Sequence, residues 1–153
     1  MSAPVRVTAK VSAPPERVFL AFVDVGDLLA WFADGAVVGR RVGGNWGLGW
    51  YADPESDAGY HALGVFETFE PGRSLVVKDL VFISPEGTEL GPMRLTVRFE
   101  AAPTEGTVVT VEQDGVRDEP AWDEYRAGVV PGWERALESL RGWLEEGRKL
   151  PGR

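Results

Sequence analysis

The sequence predicts an α+β fold in which one antiparallel sheet of about seven strands packs on a long C-terminal helix, with two short helices between the first and second strands. Three features of the chain predict it. Residues Val5 to Val11 alternate apolar and polar, and Gly- and Pro-rich punctuation divides the chain from Asp34 to Gly115 into short apolar runs. Beyond these, Trp133, Leu137, Leu140 and Leu144 recur at spacings of 4, 3 and 4. The 153 residues fit one domain, 1–153. A chain of this size buries about 68–70% of its unfolded surface and needs no covalent staple.

Taken in order, Val5, Val7, Ala9 and Val11 form one face of a half-buried strand and Arg6, Thr8 and Lys10 the other. Ser12-Ala13-Pro14-Pro15-Glu16 then opens a helix, with Ser12 as the expected cap, the prolines suited to the first turn and Glu16 at the positive end of the dipole. A second short helix is expected over Asp24 to Asp34, carrying Leu28, Leu29, Trp31 and Phe32. Turns at Gly43-Gly44, Asp53 to Asp57, Pro71-Gly72, Pro85-Glu86-Gly87, Gly91-Pro92 and Glu105-Gly106 then separate a meander of six strands. Facing is clearest where Met93, Leu95, Val97 and Phe99 alternate with Arg94, Thr96, Arg98 and Glu100, and where Val109, Val111 and Gln113 alternate with Thr110 and Glu112. From Glu119 to Gly147 the chain reads as helix, with Tyr125 and Val129 extending the apolar stripe and Pro131 expected to kink or divide it. Glu138 to Arg141 and Glu145 to Lys149 have the spacing of helical ion pairs on a solvated face.

Composition excludes much chemistry. The chain has no Cys and one His, so a disulfide framework, a Cys-ligated zinc, a Cys/His nucleophile and a two-His metal site are all ruled out. Sixteen Lys and Arg against 24 Asp and Glu give a net charge of −8, which argues against nucleic acid as a partner. No apolar stretch approaches the roughly 20 residues that cross a bilayer, and the first residues do not resemble a secretion signal. A cytoplasmic protein without membrane insertion is therefore expected. Asp53, Glu55 and Asp57 resemble the start of a calcium loop, but Gly64 stands where the closing Glu is required, and Gly43-Gly44 is a turn with no helix behind it to receive a phosphate. Neither metal nor cofactor is expected.

Five fragments in order resemble the family of the activator of the heat-shock-protein-90 ATPase, within the START-like or SRPBCC superfamily. They are Ala13 to Phe19 with Leu28, Trp31 and Phe32; Gly43-Gly44-Asn45-Trp46; Gly64-Val65-Phe66 with Phe69, Pro71 and Leu75; Gly106-Thr107 with Val109 and Val111; and Gly132-Trp133 with Leu137 and Leu140. The resemblance implies the helix-grip fold, a curved sheet wrapped on the C-terminal helix with a space between them that holds apolar or amphipathic molecules. Gln113 departs from it, standing where relatives often carry His. The co-chaperone that named the family has a further large domain, so a chaperone partner is not implied by the name.

Under that fold Trp46, Leu48 and Trp50 share one strand face opposite Gly47 and Gly49, and Tyr60 and Phe66 share another with Ala62 and Gly64. For Trp46 and Trp50 two readings stand, a cavity wall and plain core packing, since a buried ring is ordinary core. Trp133, Leu137, Leu140 and Phe19 are read as anchors of the helix. Trp31 and Phe32 lie near the expected mouth as a lid or, in the preferred reading, a plug. Trp122 and Trp143 fall off the main stripe and are read as surface aromatics. Gln113 and Tyr125 are candidate hydrogen-bonding groups beside Val129, and His61 is expected to face solvent. Asp79, on the parity of Leu75 and Val77, is a candidate interior carboxylate. The expected function is binding of a hydrophobic small molecule. A polyketide cyclase or aromatase using Asp79, Tyr60 or Tyr125, and a chaperone-interacting module, are the alternatives; a homodimer is left open.

Overall fold

The computed structural model describes residues 4–51 and 59–153. The first strand, β1 (Val5–Val11), has the expected alternation of half-buried apolar and exposed polar residues, ending at a fully buried Val11. Two short helices follow, α1 (Pro15–Val23) and α2 (Val25–Trp31), then β2 (Gly35–Val38), β3 (Asn45–Tyr51), β4 (Gly59–Glu70), β5 (Ser74–Ile83), β6 (Glu89–Ala101) and β7 (Thr107–Asp114). A 3-10 turn at Pro120–Trp122 leads into α3 (Asp123–Glu146). All pairings are antiparallel, and the strand order β1-β7-β6-β5-β4-β3-β2 makes a meander whose first strand closes on the last. The two short helices therefore carry the chain from one edge of the sheet to the other, and α3 returns along β1. Trp133 bonds Gln113, the partner of Val5, while Glu145 accepts the Ser12 N–H just beyond Val11.

Tryptophan ties the short helices down. The Trp31 indole N–H donates to the Ala21 carbonyl at 2.9 Å and that of Trp46 to the Phe22 carbonyl at 3.0 Å, satisfying acceptors in the last turn of α1. Trp50 does the same for the Phe32 carbonyl at the end of α2, at 2.7 Å. At the other end of α2, Asp24 caps by accepting the Asp27 N–H. The Asp27 carboxylate then receives both guanidinium nitrogens of Arg17, at 2.8 and 2.9 Å, and the Trp143 indole at 3.0 Å. This one carboxylate joins α1, α2 and α3, and its hydrogen bonds, aided by its charge, hold the Arg17 guanidinium above its usual pKa against the opposing effect of burial.

Several expectations are corrected. Ser12 does not cap α1, because the preceding residue is Pro14 and the Ser12 N–H instead donates to Glu145. Glu145 also lies 3.7 Å from Arg141, while Lys149 sits over the Trp143 ring. Gly91-Pro92 does not break the chain; β6 runs through it, at an irregularity in its pairing with β5 where the missing Pro N–H leaves no gap in a regular ladder. Pro131 does not divide α3, which runs unbroken from Asp123 to Glu146, with Tyr125 before it and Trp133 after it both bonded to Gln113. Trp122 is 4% exposed and packs edge-on against Tyr125, and Trp143 is bound to Asp27, so neither is a surface aromatic. Asp53, Glu55 and Asp57 lie outside the described residues.

Candidate ligand cavity

Over its C-terminal half α3 is fastened to its neighbours. Leu137 and Leu140 are buried in the core, and the Ser139 hydroxyl donates to the Trp31 carbonyl at 2.6 Å. Over its N-terminal half α3 borders open space with Gly128, an exposed residue at the rim, and the half-buried Gly132, and a Cβ built on either meets no atom within 4 Å. A helix interior ordinarily disfavours Gly, by roughly 1 kcal/mol relative to Ala. Here two of them, four residues apart, keep the helix surface bare. Between this half of α3 and strands β3 to β6 lies a cavity of about 680 Å³, within the range of small-molecule sites.

Its walls are aromatic and aliphatic. Trp46, Leu48 and Trp50 face it from β3, Ala62 and Tyr60 from β4, and Leu80 and Phe82 from β5. The inward turn of Leu80 and Phe82 has a specific cause. Leu75 and Val77 point into the core on odd numbers, but Lys78 and Asp79 form a bulge in which Asp79 takes φ +52°, and even numbers point inward afterwards. The rings then run on from one element to the next: Tyr60 stacks with Phe82 at 5.5 Å, and Phe82 meets Tyr125 of α3 at 4.8 Å. Charged lining groups, Glu86, Glu124 and Arg135, are exposed residues at the rim. Among the described residues no group of three His, Asp or Glu side chains stands close enough to hold a metal ion.

The polar floor is built on Gln113, 2% exposed on β7. Its side-chain oxygen accepts the Trp133 indole N–H at 2.9 Å, and its amide nitrogen donates to the Tyr125 hydroxyl at 2.5 Å and to the Met93 sulfur at 3.2 Å. Burial pushes the Tyr125 phenol above its usual pKa, and the bond from Gln113 opposes that only in part. The phenol stays protonated throughout the neutral range.

Of the residues singled out from sequence, Phe32, Trp46, Leu48, Trp50, Tyr60, Gln113, Tyr125 and Val129 all border the cavity. Trp31 and Phe66 do not. Trp31 is 1% exposed and stacked on Phe32 as part of the core, and Phe66 is sealed beneath Phe69. Asp79 is exposed on the opposite face of the sheet, turned there by the bulge. His61 also lies on that face, edge-on to Tyr51. Trp133 borders the cavity as well as anchoring α3. Sequence reasoning missed Leu80 and Phe82, which the bulge conceals, and also Gly128 and Gly132. Those two glycines at helical spacing beside the apolar stripe were a readable sign of open space.

The family model described as "Activator of Hsp90 ATPase homolog 1-like protein" matches residues 12–145. The chain belongs to this family. Its fold is that of the SRPBCC superfamily, and solved structures of this shape span nearly its whole length. DynU16, a protein of the dynemicin biosynthetic locus, superposes with a TM-score of 0.75 at 20% identity over 97% of this chain. The chain spans about half of DynU16, covering 49% of it. MLL2253 from Mesorhizobium loti gives a TM-score of 0.72 at 22% identity, over 94% of this chain and 97% of that one. CV1439 from Chromobacterium violaceum gives 0.67 at 24% identity, over 92% and 96%. These likenesses show the helix-grip fold alone. None of the curated proteins matches the sequence. Among the described residues of this family member, no helix is long and apolar enough to cross a membrane.

Proposed function

We propose that the protein binds a hydrophobic or amphipathic small molecule between the sheet and the N-terminal half of α3. The observation that carries this reading is the pair Gly128 and Gly132 facing a cavity of about 680 Å³ lined with aromatic rings. A helix that served only to close a core would gain by placing an apolar side chain at the half-buried Gly132. The family and fold support a ligand-holding module in general.

Three tryptophans, Trp46, Trp50 and Trp133, border the cavity, so a titration with fused-ring aromatics and long-chain lipids is expected to change tryptophan fluorescence and raise the Tm. Gly132→Leu, at a position where an added Cβ meets no atom within 4 Å, is expected to extend into the space and remove both responses while the protein stays folded. A panel that leaves both readouts unchanged in the wild type would end the proposal.

A cyclase-type enzyme is the second reading, favoured by the buried phenol of Tyr125. Tyr60 also borders the cavity, whereas Asp79 faces away. Turnover of a poly-β-keto substrate that Tyr125→Phe abolishes would move the protein into that class.

A further inference from the structure

We infer that the ligand presents a neutral hydrogen-bond acceptor, a ketone, ester or amide carbonyl, to the Tyr125 hydroxyl at the Gln113 end of the cavity. The inference rests on the reading of that cavity as a small-molecule site.

The direction of each hydrogen bond follows from what the groups can do. An indole N–H donates and never accepts, so the atom of Gln113 that faces Trp133 is its oxygen. The other end of the same amide is then the NH₂, which has two hydrogens and spends them on the Tyr125 oxygen and the Met93 sulfur. Tyr125 is thereby made the acceptor in its bond with Gln113. Its single hydrogen is turned away from the floor. Among the described residues no acceptor takes that hydrogen, and the rings packed around the phenol, Phe82 and Trp122, offer none. The floor is fully paired within itself and offers the cavity one thing, an O–H donor.

Charge narrows the class further. The groups around the phenol, Gln113, Met93, Trp133, Phe82 and Trp122, are all neutral, and the lining cation, Arg135, is an exposed residue at the rim. A carboxylate or phosphate buried at the floor would lose its hydration with no counter-charge to replace it. A carbonyl loses one bond to water and regains one to Tyr125. A pure hydrocarbon would fit the walls but leave the buried O–H unsatisfied.

Three probes of one skeleton test this: 2-acetylnaphthalene, 2-ethylnaphthalene and 2-naphthoate. The ketone is expected to bind the wild type about tenfold more tightly than the hydrocarbon, the scale of one buried polar group left unpaired, and more tightly than the carboxylate. In Tyr125→Phe, which keeps the ring, the ketone's advantage over the hydrocarbon is expected to fall to about one while hydrocarbon affinity is kept. The carbonyl stretch of the bound ketone is expected at lower wavenumber in the wild type than in Tyr125→Phe or in hexane. Equal affinities of ketone and hydrocarbon for the wild type, naphthoate binding as tightly as ketone, or an unshifted carbonyl stretch would each overturn the inference and leave the cavity reading standing. Failure of all three probes to bind would overturn both. Should Tyr125→Phe not fold, the wild-type affinities and the stretch against hexane still decide.

Discussion

From Ala136 to Leu144, α3 rests on β1 and α2, with Leu137 and Leu140 buried and Ser139, Trp143 and Glu145 each fastened to a neighbouring element. From Tyr125 to Gly132 the same helix meets the sheet through the bond of Tyr125 to Gln113 and its ring contact with Phe82, and leaves bare backbone at Gly128 and Gly132 beside open space. One half thus spends its side chains on closure and the other withholds them. A single rigid helix can serve both ends because its 24 residues are locked at one end by packing and at the other by a hydrogen-bonded amide. The closed half thus holds the cavity open.

Substitutions in the two halves should therefore differ in sign as well as in size. The largest effect is expected from Leu140→Ala, fully buried in the closed half, at about 3 kcal/mol of lost stability by chemical denaturation. A loss near zero would mean that α3 is not gripped there. Next comes Asp27→Ala, which leaves the Arg17 guanidinium and the Trp143 indole without their shared acceptor, at about 2 kcal/mol. In the open half Gly128→Ala is expected to stabilise, by roughly 1 kcal/mol, because it adds helix propensity where nothing is met. The smallest effect belongs to Tyr125 and is read by pH. Its phenol is held above the usual 10.0 in the folded state, so the unfolded chain ionises first and stability falls as pH rises beyond about 10. Thermal melts between neutral pH and pH 11 should show a shallower alkaline fall in Tyr125→Phe than in the wild type.

The order of elements was legible in the sequence because each is written in local pattern: period two in β1, β6 and β7, helical spacing in α3, glycine and proline between strands. The rings of β3 and β4 were legible for the same reason. Hidden were the consequences of one extra residue. Lys78-Asp79 reads as an ordinary polar interruption, yet the bulge there reverses the facing of everything after it, bringing Phe82 in and putting Asp79 out. Trp122 and Trp143 were misplaced because a helical wheel assigns direction and says nothing of a buried acceptor on another helix, here Asp27, or of an edge-on partner such as Tyr125. Gln113 was located by parity, but its bonds to Trp133 and Tyr125 join residues 20 and 12 positions away, a relation only folding creates.

The indole hydrogen bonds of this protein have a spectroscopic consequence. Five of its six tryptophans donate to a fixed acceptor: Trp31, Trp46, Trp50, Trp133 and Trp143. Their side-chain ¹H–¹⁵N resonances should be sharp and dispersed by those distinct partners. Trp46, Trp50 and Trp133 border the cavity, whereas Trp31 and Trp143 lie away from it. A single two-dimensional spectrum thus carries its own internal reference, with three signals free to move when the cavity fills and two that report only on whether the scaffold around them has changed.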